Sequence, residues 1–134
     1  MTKNVEVILV SLIIKLQHNI TLFIKSMILY NVTLRVDEEI HDDWVQWMKA
    51  IHIADVMKTG LFIDYRMSRM LSGEPGDAPT YTIQYRLENE QKLETYQSQF
   101  ASGLQKDHLN RYGDKVLAFR SLMEVIDEGT NADL

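Results

Sequence analysis

Met27 is the point at which the pattern of apolar and polar positions turns regular. Ile28, Tyr30, Val32, Leu34 and Val36 alternate with Leu29, Asn31, Thr33 and Arg35, and a period of two marks a strand with one buried face. Asp37 follows with a side chain able to cap a helix, and Ile40, Trp44, Trp47, Met48 and Ile51 then recur at spacings of three and four, with Asp42, Asp43, Gln46 and Lys49 opposite. Glu38, Glu39, Asp42 and Asp43 suit the positive N-terminal end of that helix. It is predicted to run to about Val56 and to end at Gly60.

Alternation returns in Leu61 to Leu71, with Leu61, Ile63, Tyr65 and Met67 on one side and Asp64, Arg66 and Ser68 on the other. Turn formers crowd Ser72 to Pro79 (SGEPGDAP), and beyond them Tyr81, Ile83, Tyr85 and Leu87 alternate with Thr82, Gln84 and Arg86, which predicts a hairpin. Asn89 can cap a second helix, whose buried stripe is Leu93, Tyr96, Phe100 and Leu104 and whose end is Gly113. Lys92 at its third position denies it a full capping box. Val116 to Ile126 is the predicted last strand, and the polar DEGTNADL after it, residues 127–134, is predicted to fray. The order βαββαβ is the split βαβ arrangement of a ferredoxin-like α+β fold, a four-stranded antiparallel sheet with two helices on one face.

Such a two-layer domain leaves one sheet face open. With Tyr30, Val32, Ile83 and Tyr85 under the helices, the open face displays Asn31, Thr33, Arg35, Asp64, Arg66, Thr82, Gln84 and Arg86. A polar open face is common for antiparallel sheets and needs only water. Two copies facing each other would instead enclose a polar cavity in which Asn31, Arg35, Asp64, Arg66 and Arg86 could hold a small anionic ligand. Phe62 and Met70 fall on that side by the same alternation and favour its burial between two copies.

Composition narrows the classes. A chain of 134 residues with 46% hydrophobic and 25% charged residues is sized and composed for one globular domain. Without cysteine it has no disulfide framework, thiolate metal site or cysteine nucleophile, and the cytoplasm is the expected compartment. Lys3, Lys15 and Lys25 stand against Glu6 in residues 1–26, which leaves 11 basic and 18 acidic side chains for the rest, a balance of -7. That body repels phosphate backbones and disfavours nucleic acid. The apolar run VEVILVSLIIKL, Val5 to Leu16, is 12 residues long and holds Glu6 and Lys15, whereas a membrane span needs about 20 apolar residues; no membrane partner is expected. No small-residue cleavage site follows it. Residues 1–26 therefore read as an upstream extension of the domain 27–126, consistent with a start codon placed too early, or else as an added element that packs on the domain or on a partner.

The stretches MILYNVTLRVDEEIHDDWVQWM, HIADVMKTGLF, TYTIQYR and LQKDHLNRYGDKVLAFR, in that order, resemble an uncharacterised bacterial family known as domain of unknown function 4286. The likeness covers Met27 to about Glu124. It implies membership of the ferredoxin-like, dimeric α/β-barrel proteins, a group with cofactor-independent monooxygenases, isomerases and haem-degrading enzymes as well as members of no known activity. Relatives often carry Ile-Pro after the position of His52, where this chain has Ile53 and Ala54, so the first helix is free to run on by a turn.

Two histidines are the catalytic candidates. His52 lies about 100° from the centre of the first helix's apolar stripe, an edge position from which an imidazole with an ordinary pKa of about 6.5 can serve as a general base; the plainer alternative is a half-buried histidine bonded to a backbone carbonyl. His108 follows Asp107, but adjacent helical residues point about 100° apart, which weakens them as a catalytic pair. Leu109 falls opposite the second helix's stripe, so a bend, for which Gly103 is the candidate, or a partner subunit is expected there. Trp44 and Trp47 read as core. His41, His52 and His108 have no metal-ligand spacing, so no metal or cofactor is expected. Phosphate-cradling glycine motifs, a G-x-S-x-G elbow and the RNA-binding signature of βαββαβ domains are absent. Three readings remain, of which the first two are a homodimer binding a small anion between facing sheets and a cofactor-independent enzyme with His52 as base and Arg35 or Arg86 holding an oxyanion. A structural dimer without a ligand is the third.

Overall fold

Strand β1 (Ile28–Val36) is the spine of the molecule. It is flanked on both sides by antiparallel partners, in a sheet of order β2-β3-β1-β4 with β2 (Asp64–Arg69), β3 (Thr80–Leu87) and β4 (Val116–Glu124). The computed structural model describes residues 2–25 and 27–133, and the side chains of residues 4–16 and 27–133. Helix α1 (Thr2–Lys25) precedes the sheet. Its Val7, Leu12 and Leu16 are exposed, as are the apolar residues between them. No helix among the described residues is long and apolar enough to cross a membrane. Positions 1 and 26 of the upstream extension, and the last residue of the tail, lie outside the described residues.

The register carries the two-residue alternation across all four strands. Tyr30 stands opposite Tyr85 and Leu122, and Asn31 opposite Gln84 and Ser121, so directly paired residues share a face. Ile28, Tyr30, Leu34, Val36, Tyr81, Ile83, Tyr85 and Leu87 are buried under the helices with Trp44, Met48, Ile53, Val56, Leu93 and Tyr96. The chain thus forms the expected α+β, ferredoxin-like layer pair.

Both helical segments depart from ideal rods. The first opens as a 3-10 turn at Glu38–Ile40, with Asp37 Oδ1 accepting from the Glu39 N–H at 2.9 Å. It continues as α2 (His41–Trp47), a π-turn (Met48–His52) and α3 (Ile53–Met57). In the π-turn the Ile53 N–H donates to the Met48 carbonyl five residues back, a looser winding than the α-helix. With Ala54 in place of proline nothing stops the helix before Met57. The second segment starts as expected, Asn89 Oδ1 accepting from the Lys92 N–H at 3.0 Å, and runs as α4 (Glu90–Gln99) and α5 (Ala101–Tyr112) to Gly113, whose φ of +57° favours glycine.

Three expectations are corrected. The bend lies at Phe100 (φ -125°, ψ -36°), the junction of α4 and α5, and Gly103 is an ordinary helical residue inside α5. The second strand is shorter than Leu61 to Leu71: the chain bends at Ile63, whose N–H donates to the Arg86 carbonyl at 2.8 Å, and the ladder runs from Asp64 to Arg69. Phe62 consequently leaves the alternation, and instead of standing on the open face it is 7% exposed in the core. There it meets Tyr85 and Tyr96 with ring centroids 5.0 and 4.8 Å away. Burial of a phenylalanine against two tyrosines outweighs the preference for a continuous strand.

Candidate functional site

His52 and His108 meet at the wall of a cavity between the helices and the covered face of the sheet, their ring centroids 5.7 Å apart and nearly edge to face. The π-turn explains how His52 gets there. On a regular α-helix Trp47 and His52, five residues apart, would point about 140° away from each other; across the wider turn their rings stack at 4.9 Å. Helix α5 brings His108 from the other side, 5.8 Å from Trp47 and 5.5 Å from Tyr112.

Trp44 Nε1, which can only donate, reaches His108 Nε2 at 3.0 Å. That nitrogen therefore accepts, and the hydrogen of the neutral ring sits on Nδ1. His52 makes no side-chain hydrogen bond among the described residues and is half-buried, so a ring lone pair stays uncommitted. Burial lowers the His52 pKa below its ordinary 6.5; Asp55 and Asp107 oppose this, and Arg120 adds to it. Burial also pushes His108 down, to about 4, with His52 and Arg120 acting in the same direction. Both imidazoles are neutral at pH 7.

The opposite wall comes from the sheet. Tyr30 and Tyr85 line it, with Tyr96 of α4 beside them, and Arg120 Nε donates to the Tyr30 hydroxyl at 3.1 Å. Burial raises the pKa of Tyr85 and of Tyr96 well above the ordinary value, so these phenols stay protonated. The enclosed space is about 40 Å³, room for a few water molecules. All the space between atoms here, open solvent at the mouth included, comes to about 450 Å³. The mouth exists because β4 is an edge strand whose Ala118, Arg120 and Leu122 face the helix side yet remain exposed. Arg120 and the Tyr30 hydroxyl were missed by the sequence reading. The two-residue period of VLAFRSLME would have revealed the first, since it sets an arginine on the side otherwise held by Val116, Ala118 and Leu122.

The predicted ligand-binding residues all stand on the open face, but they do not converge. Asp64 is the cross-strand partner of Arg86, and the two form a bidentate pair, Nε to Oδ1 at 2.8 Å and Nη2 to Oδ2 at 2.6 Å. The bond to Arg86 lowers the Asp64 pKa, and the same bond raises that of Arg86. With Arg66, Gln84, Leu29, Tyr65 and Glu128 they border a shallow recess of about 410 Å³. Asn31 lies nearer the middle and donates to Thr33 Oγ1 at 3.3 Å. Arg35 is opposite Thr80, six residues along β1 from the Leu29 that faces Arg86, a separation of roughly 20 Å at about 3.4 Å per residue. The β4 side of this face is apolar: Leu117 is 61% exposed and Phe119 71%, with Met123 beside Leu29. Among the described residues no group of three or more histidine or acidic side chains is arranged to hold a metal ion.

Residues 27–126 match the family model described as "Domain of unknown function (DUF4286)", and the chain belongs to that family. No curated protein matches the chain. Among solved structures, an ethyl tert-butyl ether (EthD) family protein from Bacillus halodurans superposes with a TM-score of 0.58 at 14% identity, covering 74% of this chain and 99% of the other. A candidate antibiotic biosynthesis monooxygenase from Bacillus cereus gives 0.53 at 17% identity, over 78% and 98% of the two chains. A dimeric ferredoxin-like protein from an uncultured marine organism gives 0.52 at 15%, over 78% and 99%. At these identities the likeness is one of fold.

Proposed function

We propose that the protein is a homodimeric small-molecule-binding module whose ligand enters the cavity between helices and sheet, where His52 acts as proton acceptor. The observation that carries this reading is the meeting of two neutral imidazoles, distant in sequence, at a solvent-connected cavity. Perturbed titratable groups converging on a cleft are the physical mark of a site built for proton transfer. The division of labour follows from hydrogen bonding: His108 Nε2 is occupied by Trp44, whereas His52 keeps a lone pair to take a proton from a weakly acidic ligand. Such chemistry needs no cofactor and is that of a monooxygenase or isomerase of the dimeric α/β-barrel type.

The partner is a second copy, joined through the open faces. Leu117, Phe119 and Met123 make an exposed apolar strip beside charged β2 and β3, the composition of a protein contact, and a protein of similar fold is dimeric. Light scattering after gel filtration is expected to give twice the chain mass, and the double substitution Leu117→Glu with Phe119→Glu is expected to halve it; an unchanged mass would refute the sheet-to-sheet contact.

For the cavity, NMR of the histidine ring resonances during titration with a panel of small aromatic and aliphatic molecules is the test. Shifts at His52 and His108 are expected, and their loss in His52→Ala is expected to accompany loss of any turnover found. A second reading, favoured by the 410 Å³ recess at Asp64, Arg66 and Arg86, places an anion between the facing sheets. Weakened binding in Arg66→Met with silent histidine resonances would select that reading.

A further inference from the structure

Arg120 is an unexpected residue for its position. It sits among core-facing positions of β4, opposite Val32 in the register, where a charged group is costly unless something answers it. An arginine on an edge strand can carry its head out to water along an apolar stem, and Arg120 is exposed enough for that. Its head is nevertheless anchored: Nε is bonded to the Tyr30 hydroxyl, which leaves the terminal nitrogens at the cavity mouth.

The chain contains 19 acidic residues, yet among the described residues none pairs with Arg120. Arg86 and Arg111, by contrast, are each bonded to an aspartate, Asp64 and Asp43. Among the described residues Arg120 is also the one arginine or lysine lining the cavity, and no aspartate or glutamate lines it. Apart from Gln105 and the two histidines the remaining wall is aromatic and aliphatic, with Tyr30, Tyr85, Tyr96, Ile83 and Leu104 prominent. A fixed guanidinium with free donors above an apolar wall matches a flat anionic head on a small apolar body. The enclosed 40 Å³ admits only the tip of a ligand, so a short branched chain or a single ring lies largely in the wider mouth.

Resting on the reading that this cavity is the ligand site, we infer that it takes a small monocarboxylate, with the carboxylate held by the terminal nitrogens of Arg120 and the apolar part lying among the tyrosines. Tyr30 is the positioning residue, since it acts through Arg120. The carboxylate is kept whole, so no bond is made or broken in the binding step.

Isothermal titration and thermal unfolding of the full chain with isobutyrate, benzoate, benzamide and inorganic phosphate test this. Benzoate or isobutyrate is expected to bind and to raise the melting temperature, with benzamide and phosphate at least about tenfold weaker, as loss of a charge-assisted pair implies. Arg120→Met is expected to remove that preference, and Tyr30→Phe, which keeps the ring, to reduce it by a smaller factor. Circular dichroism checks the fold of each; Arg120→Gln, which removes the charge but keeps a polar head, gives the same readout should Arg120→Met not fold. Equal binding of benzoate and benzamide, benzoate binding undiminished in folded Arg120→Met, or phosphate as good as benzoate would overturn the inference. Benzamide binding that shifts the His52 and His108 resonances would keep the cavity as a ligand site while removing its charge selection. Silence of those resonances to all four probes would remove both.

Discussion

On its covered face the sheet sets Tyr30, Tyr85 and Arg120 opposite His52 and His108, whereas on its open face it sets Asp64, Arg66 and Arg86 against water. The covered groups are joined across long sequence separations, Trp44 to His108 and Arg120 to Tyr30, and burial favours the neutral forms of His52, His108 and Tyr85. The open groups are joined to the nearest cross-strand neighbour, Asp64 to Arg86, and that pairing drives them toward the charged form. One sheet therefore offers uncharged bases on one side and solvated ion pairs on the other.

The strongest way to break this division is at Phe62. A core position predicts that Phe62→Ala costs about 3–5 kcal/mol in denaturant unfolding, whereas an open-face position would cost no more than about 0.5 kcal/mol. The pH profile sharpens it next. His108 protonates near pH 4 when folded and near 6.5 when unfolded, so between those values the unfolded chain holds more protons and stability falls as pH falls; above about 6.5 the contribution is complete and flat. Chemical denaturation at pH 7 and pH 5 is expected to differ by at most about 2 kcal/mol from this group, with His52 adding in the same direction. His108→Gln, which can still accept from Trp44, is expected to flatten that slope, and an equally steep profile would show that the imidazole is not its source. The smallest effect belongs to the open face. With Asp64 and Arg86 about half and one-third exposed in the single chain, Asp64→Asn made in the monomeric Leu117→Glu, Phe119→Glu background is expected to cost less than about 1 kcal/mol at low salt and nothing measurable at high salt. A larger, salt-insensitive loss without those two substitutions would mean that the pair is covered, as it would be between two facing sheets.

Local rules account for the parts of this picture that the sequence made legible. Asn89 caps its helix and Gly113 ends it because each decision involves backbone groups within a few residues. Asn31, Arg35, Asp64, Arg66 and Arg86 share one face because strand alternation is a local geometric fact. Phe62 escaped that rule because the aromatic cluster of Tyr30, Tyr85 and Tyr96 competes for it, and its members come from three other elements. His52 was placed at the edge of its stripe by a wheel with a constant 100° step, which the π-turn does not obey.

By itself, then, the sequence determined element order, helix ends and the faces of the paired strands, all properties of spacing and of neighbours within one turn or one hairpin. Tertiary structure alone decided that His52 would meet His108, that Trp44 would fix the tautomer of His108, and that Arg120 would lean on Tyr30 rather than on an acid. These depend on distances between elements far apart in the chain. Such distances are set by how the bent helices fill the space above the sheet, and one-dimensional periodicity carries no record of that.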